Sequence, residues 1–289
     1  MILPPFRYVR PSSAAEAVSL LDQIEGAAVL GGGQTLMNAL KLDLVGPSAL
    51  VDVHRLPELQ GVEHADGVLR IGAAVTYAEL AVHPLVQAVA PSIAEMAAGL
   101  VDRQVRNRGT IGGNCALNDP ANNYPPLLVA LGAQFEVLTT EGLAVIEAQD
   151  FFLDTMFTAV TDGGVLVAIR VPDLPAGTVV VHNHMQLAKD SWSMARCVVR
   201  LETTDGRTDA AIVTIGTVPG SPLRLGKVEE ALKGADSYSD ELKEAVGAAF
   251  DAEDVEFIGD SHGTIDYRRT MMRVLLRRTV NDALLEVRA

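Results

Sequence analysis

Two glycine-rich stretches, far apart in the sequence, combine bare backbone with side chains that can form hydrogen bonds. The first is Gly31-Gly32-Gly33-Gln34-Thr35 and the second is Thr110-Ile111-Gly112-Gly113-Asn114. Glycine has no Cβ to hold a ligand away from the main chain, so successive N–H groups can point at one anion. The first stretch also lies between a predicted strand and a predicted helix start, where the helix dipole adds to the attraction. Both stretches therefore predict binding of a diphosphate.

Neither stretch matches the motifs of the common nucleotide-binding folds. The G-x-G-x-x-G turn of a βαβ unit is absent from both. The segment 220–227 is similar to a Walker loop, but it has one residue too many and is followed by Val228 where Ser or Thr is needed. Either glycine stretch alone is compatible with a simple tight turn. The presence of two, each with polar side chains nearby, favours a ligand site.

Helix and strand patterns surround both stretches. Ser13 and Glu16 have the spacing of a capping box, which predicts the start of the first helix. Apolar periodicity predicts the elements that follow, up to a boundary at 172–177 that is rich in proline and glycine. In chain order we predict a helix at about 14–25, a short buried strand at 27–30, a glycine loop at 31–35, a short helix or helical turn at 36–44, and a strand at 49–53. A strand running into a helix at 67–80 and helical spacing through residue 100 come next, followed by a second glycine loop at 110–113. The remaining elements are a helix at 125–133, paired strands at 134–140 and 143–148, and a strand at 165–172.

The pattern changes after residue 177. The strand-like runs VVVHNHMQLA, MARCVVRLET and AAIVTIGTV follow one another, and Asp205-Gly206 between the last two is typical of a tight hairpin. These runs predict an antiparallel meander. Helices at 227–233, 240–250 and about 264–286 complete the chain. The sequence as a whole therefore predicts an α+β fold.

Composition narrows the class of function. The 289 residues carry 37 acidic and 23 basic side chains, a net charge of −14 that would repel nucleic acid and an anionic membrane surface. The opening MILPPFRYVRPSS is unlike a secretory signal, and no apolar run reaches the length of a membrane span. We therefore expect a cytoplasmic protein. Cys115 and Cys197 are too few for an iron–sulfur or zinc ligand set, and we expect both to be buried thiols.

Two other patterns point to different chemistry. The stretch 259–263, GDSHG, matches the nucleophile elbow G-x-S-x-G and follows a possible strand at 255–258. No histidine comes after His262, so the order of the hydrolase triad is not met. His182 and His184 alternate along a predicted strand and could offer two metal ligands, but no third ligand is evident. We assign no catalytic residue and no metal site.

The last predicted helix is basic within an acidic protein. Its arginines either dock an acidic partner subunit or form a solvated face; they are Arg268, Arg269, Arg273, Arg277 and Arg278. The apolar positions of the same helix are expected to pack on the C-terminal sheet; they are Ile265, Met272, Leu275, Leu276 and Val280.

Several stretches together resemble one known family. LGGGQTLMNALKLDLVGPSALVDVHRL at 30–56 and RQVRNRGTIGGNCALNDPANNYPPLLVALGA at 103–133 are similar to the FAD-binding medium subunit of the molybdenum hydroxylases. Aerobic carbon monoxide dehydrogenase and xanthine dehydrogenase are of this type. The opening PFRYVRPSSAAEAVSLL and the closing DYRRTMMRVLLRRTV extend the resemblance to essentially the whole chain.

The resemblance implies an architecture and a cofactor site. FAD would lie between two N-terminal α+β subdomains of the vanillyl-alcohol-oxidase type, at 1–55 and 56–176, followed by a C-terminal domain of antiparallel sheet and helices at 177–289. The two glycine stretches would hold the pyrophosphate from two sides. Asp119 would accept a hydrogen bond from a ribose or ribityl hydroxyl.

The chain departs from the family pattern at two places. The usual Ala-Gly-Gly-Gln/His-Ser begins here with Gly31 and ends with Thr35, which keeps the backbone freedom and the hydroxyl. Ser191-Trp192 stands where family members often have Asp followed by Phe or Tyr. Trp192 is expected either to lie against the isoalloxazine ring or to be a buried core tryptophan.

The function implied by the resemblance is electron transfer. Hydroxylation would occur at a molybdopterin cofactor on a large subunit, electrons would cross two-iron two-sulfur clusters on a small subunit, and FAD in this chain would pass them to an external acceptor. The subunits would assemble as a dimer of heterotrimers. The substrate (carbon monoxide, a purine, an aldehyde or an N-heterocycle) and the acceptor (quinone, NAD or oxygen) stay open. Two alternatives are a free-standing flavoprotein that oxidises or reduces its own organic substrate, and a non-redox binding module.

Overall fold

The structure is a computed structural model that describes residues 3–100, 102–160, 163–188, 191–220, 222–261 and 263–288. It divides into two units that interleave along the chain. The N-terminal unit contains residues 1–117, 133–153 and 157–173, and the C-terminal unit contains 118–132, 154–156 and 174–289.

Fourteen strands are present in the described residues: β1 (Arg7–Val9), β2 (Ala27–Leu30), β3 (Ala49–Asp52), β4 (Val62–Ala65), β5 (Val68–Gly72), β6 (Gln134–Thr139), β7 (Gly142–Glu147), β8 (Phe152–Asp154), β9 (Phe157–Thr158), β10 (Val165–Pro172), β11 (Thr178–Gln186), β12 (Ser193–Thr204), β13 (Arg207–Gly216) and β14 (Leu223–Arg224). The α-helices of the same residues are α1 (Ala14–Gln23), α2 (Leu36–Lys41), α3 (Tyr77–Val82), α4 (Pro84–Val89), α5 (Pro91–Gly99), α6 (Arg103–Arg106), α7 (Ile111–Leu117), α8 (Tyr124–Ala130), α9 (Ala148–Phe151), α10 (Gly226–Ala231), α11 (Asp240–Ala252) and α12 (Ile265–Glu286).

The N-terminal unit contains two sheets. The smaller is parallel, in the order β1-β3-β2, and its central strand β3 is almost fully buried. The larger is antiparallel, in the order β4-β5-β10-β6-β7. Strand β2 is only half-buried, because it forms an edge of the parallel sheet, so the prediction of a buried strand at 27–30 is wrong in that respect.

Helix α1 begins as predicted but with a different cap. The Ser13 hydroxyl accepts a hydrogen bond from the Glu16 N–H at 3.1 Å. The Glu16 carboxylate does not return to Ser13; it accepts from the N–H and the hydroxyl of Ser12, both at 2.6 Å. The predicted capping box is therefore incomplete, because the Glu16 carboxylate bonds to Ser12 and not to the N–H of Ser13. A complete capping box lies further on, between Thr76 and Glu79 at the start of α3.

The C-terminal unit is built on the sheet β11-β12-β13-β14. Asp205 and Gly206 have φ values of +51° and +76°, the left-handed pair of the predicted hairpin between β12 and β13. One face of β12, with Cys197, Val199 and Leu201, packs in a core formed with α10, α11 and α12. Burial of each large aliphatic side chain in such a core contributes roughly 1.5–3 kcal/mol.

Helix α12 confirms most of the packing prediction. Met272, Leu275, Leu276 and Val280 are buried in the core of the C-terminal unit, whereas Ile265 is 53% exposed because it lies in the first turn, beyond the sheet. Its arginines make local ion pairs: Arg268 with Asp260, Arg273 with Asp251 at 2.9 Å and Arg277 with Glu244 at 3.5 Å. These pairs neutralise much of the basic face within the chain. In the described ranges, no helix combines the length and the apolar character needed to cross a bilayer.

Candidate functional site

The two glycine stretches meet in the N-terminal unit. A Cβ placed on Gly32 would lie 2.1 Å from the carbonyl oxygen of Arg108 and 3.0 Å from the Cα of Gly109. A Cβ on Gly31 would lie 3.6 Å from the Thr110 hydroxyl oxygen. The backbone of the first stretch is thus in van der Waals contact with the segment that leads into the second. Only glycine is compatible with this approach at position 32.

The first stretch presents unused backbone donors. Gly33, at φ +73°, turns the chain between β2 and α2, and the Gln34 amide donates to the Gly32 carbonyl at 3.4 Å. No acceptor among the described residues takes the N–H groups of Gly32, Gly33, Gln34 or Thr35. Four consecutive N–H groups that have no acceptor among the described residues, next to a turn of positive φ, are candidate donors to one anion.

The second stretch is helical, which differs from the predicted loop. Gly112 and Gly113 lie in the first turn of α7, and the Gly113 N–H donates to the Thr110 hydroxyl at 3.0 Å. The N–H groups of Ile111 and Gly112 donate to the carbonyls of Val75 and Ala73, at 3.1 and 2.9 Å. The backbone donors expected to face an anion are therefore satisfied internally in this stretch.

Gly112 has a packing role. A Cβ there would lie 2.5 Å from both the Cβ and the carbonyl oxygen of Ala73, so the helix start can approach the end of β5 only with glycine. Gly113, by contrast, is exposed, and an added Cβ would meet only the Thr110 hydroxyl, at 3.0 Å. The exposed bare backbone of this stretch is therefore at Gly113.

The start of α3 holds the second stretch in place. Thr76 forms an isolated antiparallel bridge with Thr110, and the Tyr77 N–H donates to the Gly109 carbonyl at 3.0 Å. The Asn114 amide donates to the Tyr77 hydroxyl at 3.1 Å. Burial raises the pKa of Tyr77 far above its usual value, so this phenol stays protonated. The Thr-x-x-Glu pattern at 76–79 was available in the sequence as the signal for this helix start.

A polar cleft of about 520 Å³ lies in the N-terminal unit and shares Thr76 with the contact just described. It was not predicted from the sequence. Burial, and then the nearby charge of Arg108, lower the pKa of His54 on its wall, so this imidazole is neutral at pH 7. The residues that line the cleft are His54, Arg55, Gln60, Ala74, Thr76, Ala78, Glu79 and Asn107.

The remaining two residues of the predicted site, Asp119 and Trp192, belong to the C-terminal unit. One carboxylate oxygen of Asp119 accepts from the Ala121 N–H at 2.8 Å in a local turn, which leaves the other oxygen for a ligand hydroxyl. Trp192 precedes β12 and is 69% exposed, so the prediction of a buried core tryptophan is wrong. A ring that exposed has a free aromatic face.

The structure also describes the histidine pair of β11 and the two cysteines. His182 and His184 do lie on one face of β11, opposite Val198 and Arg196 of β12. The described residues contain no group of three or more His, Cys, Asp and Glu side chains arranged to hold a metal. Cys115 and Cys197 are buried free thiols, as predicted, and burial raises the pKa of Cys197 to about 12.

The nucleophile-elbow hypothesis lacks its structural context. The possible strand at 255–258 has no regular secondary structure, and Ser261 lies in an exposed turn closed by a bridge between Asp260 and Gly263. An elbow needs a strand that ends at the serine and a helix that starts there. His262 lies outside the described residues.

The contact between the two glycine stretches in the N-terminal unit, and the antiparallel sheet with helices in the C-terminal unit, agree with two family models. The model of the FAD binding domain in molybdopterin dehydrogenase matches residues 4–174, and that of the CO dehydrogenase flavoprotein C-terminal domain matches residues 182–283. The chain belongs to this family of molybdopterin dehydrogenase flavoproteins. The predicted family and the α+β fold class are confirmed.

Relatives with known names agree with the family models. The carbon monoxide dehydrogenase medium chain of Hydrogenophaga pseudoflava is 35% identical over 286 residues, 98% of each chain. The nicotine 6-hydroxylase medium subunit of Paenarthrobacter nicotinovorans is 31% identical, over 98% of this chain and 99% of its own length. A solved carbon monoxide dehydrogenase from H. pseudoflava, which lacks the Mo-pyranopterin moiety of the molybdenum cofactor, matches with a TM-score of 0.94 and 35% identity over 99% of each chain.

Proposed function

We propose that this chain is the FAD-carrying electron-transfer subunit of a molybdenum-containing hydroxylase or dehydrogenase complex. The observation that carries the proposal is the row of unused N–H groups at 32–35, held in contact with the segment before the second glycine stretch. A diphosphate is the group that such a row of donors suits best. Family membership supplies the identity of the dinucleotide.

We propose a separate role in FAD binding for each predicted site residue. The first stretch, Gly31-Gly32-Gly33-Gln34-Thr35, would donate backbone N–H groups to the pyrophosphate. The second, Thr110-Ile111-Gly112-Gly113-Asn114, would close over it with the bare Cα of Gly113 and the polar side chains of Thr110 and Asn114, while Ile111 and Gly112 anchor the helix start. Asp119 would accept from a sugar hydroxyl, and Trp192 would offer its exposed ring to the isoalloxazine. Bound FAD supplies one- and two-electron transfer.

The proposal extends to the partners. The relatives are medium chains or subunits, so electrons would reach this chain from two-iron two-sulfur clusters on a small subunit, after oxidation of the substrate at a molybdopterin centre on a large one. We propose a dimer of heterotrimers in the cytoplasm, with no nucleic-acid partner and no membrane insertion of this chain. Within this chain we propose two FAD-binding subdomains at 1–55 and 56–176 and a C-terminal sheet-plus-helix domain at 177–289.

Cofactor and metal analysis of the native complex tests the function. We expect about one FAD per copy of this chain, together with molybdenum and iron that co-purify on a larger and a smaller polypeptide. Activity of the isolated, FAD-loaded chain on an organic substrate would instead establish a free-standing flavoprotein. A colourless chain that takes up no flavin when FAD is added would leave only a non-redox binding module.

A further inference from the structure

Arg196 is a buried cation in the C-terminal unit. It lies in the middle of the sheet, on β12, directly opposite His184 of β11 and Gly216 of β13. Its side chain and backbone together are 3% exposed. One guanidinium nitrogen, Nη2, donates to the Ser193 hydroxyl at 2.8 Å, and Nε has no hydrogen-bond partner.

No carboxylate in the described part of the chain forms an ion pair with Arg196. Arg200, on the same face of the same strand, differs in this respect: it pairs with Glu202 and donates to the Ala130 carbonyl at 3.2 Å. Arg70, in the N-terminal unit, likewise pairs with the buried Glu136 at 2.9 Å. The fold thus supplies buried or half-buried arginines with acceptors elsewhere, and Arg196 is the exception among these three.

An uncompensated buried charge is destabilising, because the guanidinium loses its hydration without gaining an anion. Burial lowers the pKa of Arg196 to about 9, which is still above neutral pH, so the side chain remains a cation in the folded protein. A neutral hydroxyl such as that of Ser193 cannot balance a full charge. A buried polar group left in this state is most simply explained by a ligand that is not part of the chain.

The two sides of Arg196 differ in their access to a small group that carries negative oxygens. On the side of Gly216, an added Cβ would lie 3.0 Å from the Cγ of Pro126, 3.5 Å from the carbonyl oxygen of Pro120 and 3.7 Å from the Cβ of Arg196, so the chain itself fills this side. On the other side is His184, which is exposed, so this side of Arg196 is open to solvent. Burial of part of its ring, and then the charge of Arg196, lower the pKa of His184. The neutral imidazole has a hydrogen bond with the Gln186 side chain, and its other ring nitrogen can donate to an oxyanion without repelling Arg196.

We propose that Arg196 and His184 form a binding site for an oxyanion, a phosphate or carboxylate group, in the C-terminal unit. The Nε and Nη groups of the guanidinium present the fork of parallel donors that matches two oxygens of one such group. The neutral ring of His184 lies at the solvent side of the site. The anion comes from a separate small molecule, because the two phosphates of the dinucleotide are proposed to lie at the glycine stretches of the N-terminal unit.

Thermal unfolding of the FAD-loaded full chain with sodium phosphate tests the site, because FAD then occupies the diphosphate site proposed at the glycine stretches. Phosphate is exchanged for chloride at constant ionic strength, and the unfolding midpoint is followed for the wild type, Arg196→Met and Arg200→Met. A ligand that binds only the folded state raises the midpoint with the logarithm of its concentration above Kd. We expect this rise in the wild type and in Arg200→Met, and no rise in Arg196→Met. Equal slopes in the wild type and Arg196→Met would overturn the proposal.

The two variants also differ in their stability without phosphate. Arg196→Met removes an unpaired charge and keeps most of the apolar volume, so its midpoint should equal or exceed that of the wild type. Arg200→Met strands the carboxylate of Glu202 and should lower the midpoint. A large drop for Arg196→Met would mean that the guanidinium is already balanced within the chain, which contradicts the proposal.

Further measurements test whether the anion contacts His184 and whether it is separate from the dinucleotide. NMR titration of His184 should show a higher imidazole pKa with phosphate than with chloride in the wild type, and no such difference in Arg196→Met. Acetate in place of phosphate reports whether a single carboxylate suffices. We expect phosphate to stabilise the FAD-loaded chain, as a ligand separate from the dinucleotide would; no stabilisation of the FAD-loaded chain would contradict the proposal. FAD content, measured on the same samples, tests the proposed function independently.

Discussion

Replacement of Gly32 by alanine is expected to abolish tight FAD binding while leaving the chain folded. The added Cβ would lie 2.1 Å from the Arg108 carbonyl oxygen, whereas ordinary contacts begin at 3.4 Å. The two segments must therefore separate by about 1.3 Å, the difference between those distances. Backbone on both sides of the contact has to move, since no flexible side chain is available to yield.

The magnitude follows from the hydrogen bonds that the separation breaks. A shift of more than 1 Å takes N–H donors of the first stretch out of range of phosphate oxygens, because hydrogen bonds need about 2.7–3.2 Å between heavy atoms. Each hydrogen bond to a charged group contributes roughly 1.5–3 kcal/mol. Loss of two would weaken FAD binding by about 3–6 kcal/mol, or roughly 10²- to 10⁴-fold in Kd.

Gly46→Ala is the matched control for this experiment. Gly46 lies in an exposed part of the same unit, and an added Cβ would have no atom within 4 Å. The assay is the FAD-to-protein ratio after gel filtration, followed by titration of the FAD-free chain with FAD, and circular dichroism to verify the fold. Retention of FAD by a folded Gly32→Ala variant at the level of Gly46→Ala would refute the placement of the pyrophosphate at this contact.

Three further changes test the positions of other groups. Gly112→Ala should destabilise the chain by about 1–3 kcal/mol, because its Cβ would lie 2.5 Å from Ala73; chemical denaturation measures this, and an unchanged midpoint would contradict the packing role. Trp192→Ala should change the free energy of unfolding by less than about 0.5 kcal/mol, since the ring is 69% exposed, and the fluorescence of this single tryptophan should fall when FAD binds; undiminished fluorescence would separate the ring from the flavin. Glu229→Gln should destabilise by about 2–4 kcal/mol, because the buried carboxylate accepts from the Val213 N–H at 3.0 Å and pairs with Arg224 at 2.7 Å; a loss below 0.5 kcal/mol in thermal denaturation would show that the pair is solvated.

Elements governed by local chemistry could be predicted from the sequence. Asp205-Gly206 specifies its hairpin because both residues accept positive φ. The buried face of α12 could also be predicted, because the helical period places Met272, Leu275, Leu276 and Val280 on one side of the helix.

Features that depend on contacts between distant residues could not be predicted in this way. Gly112-Gly113 indicated a loop because glycine disfavours helices, but the approach to Ala73 and the hydroxyl cap of Thr110 stabilise helix α7 there. Strand β2 is too short for its apolar letters to tell an edge from a centre.

In the candidate site, too, the features set by local sequence could be predicted and those set by contacts between distant residues could not. The glycines of the two stretches were recognisable as a pair, but nothing local indicates that position 32 contacts residues 108 and 109. The cleft lined by His54 and Glu79 combines three separate segments and has no motif of its own. Arg196 could not be recognised as unpaired, because pairing depends on which carboxylates the fold brings near it.

The internal hydrogen bonds at the start of α7 bear on how quickly and how tightly a dinucleotide is captured. Residues 111–113 donate to Val75, Ala73 and Thr110, so the chain's own hydrogen bonds hold this wall of the proposed site. Ordering a backbone residue costs roughly 1–2 kcal/mol of conformational entropy, and here that loss is incurred during folding instead of association. We therefore expect the adjustment on dinucleotide binding to concern mainly the turn at 31–35, because the N–H groups at 32–35 have no acceptor among the described residues.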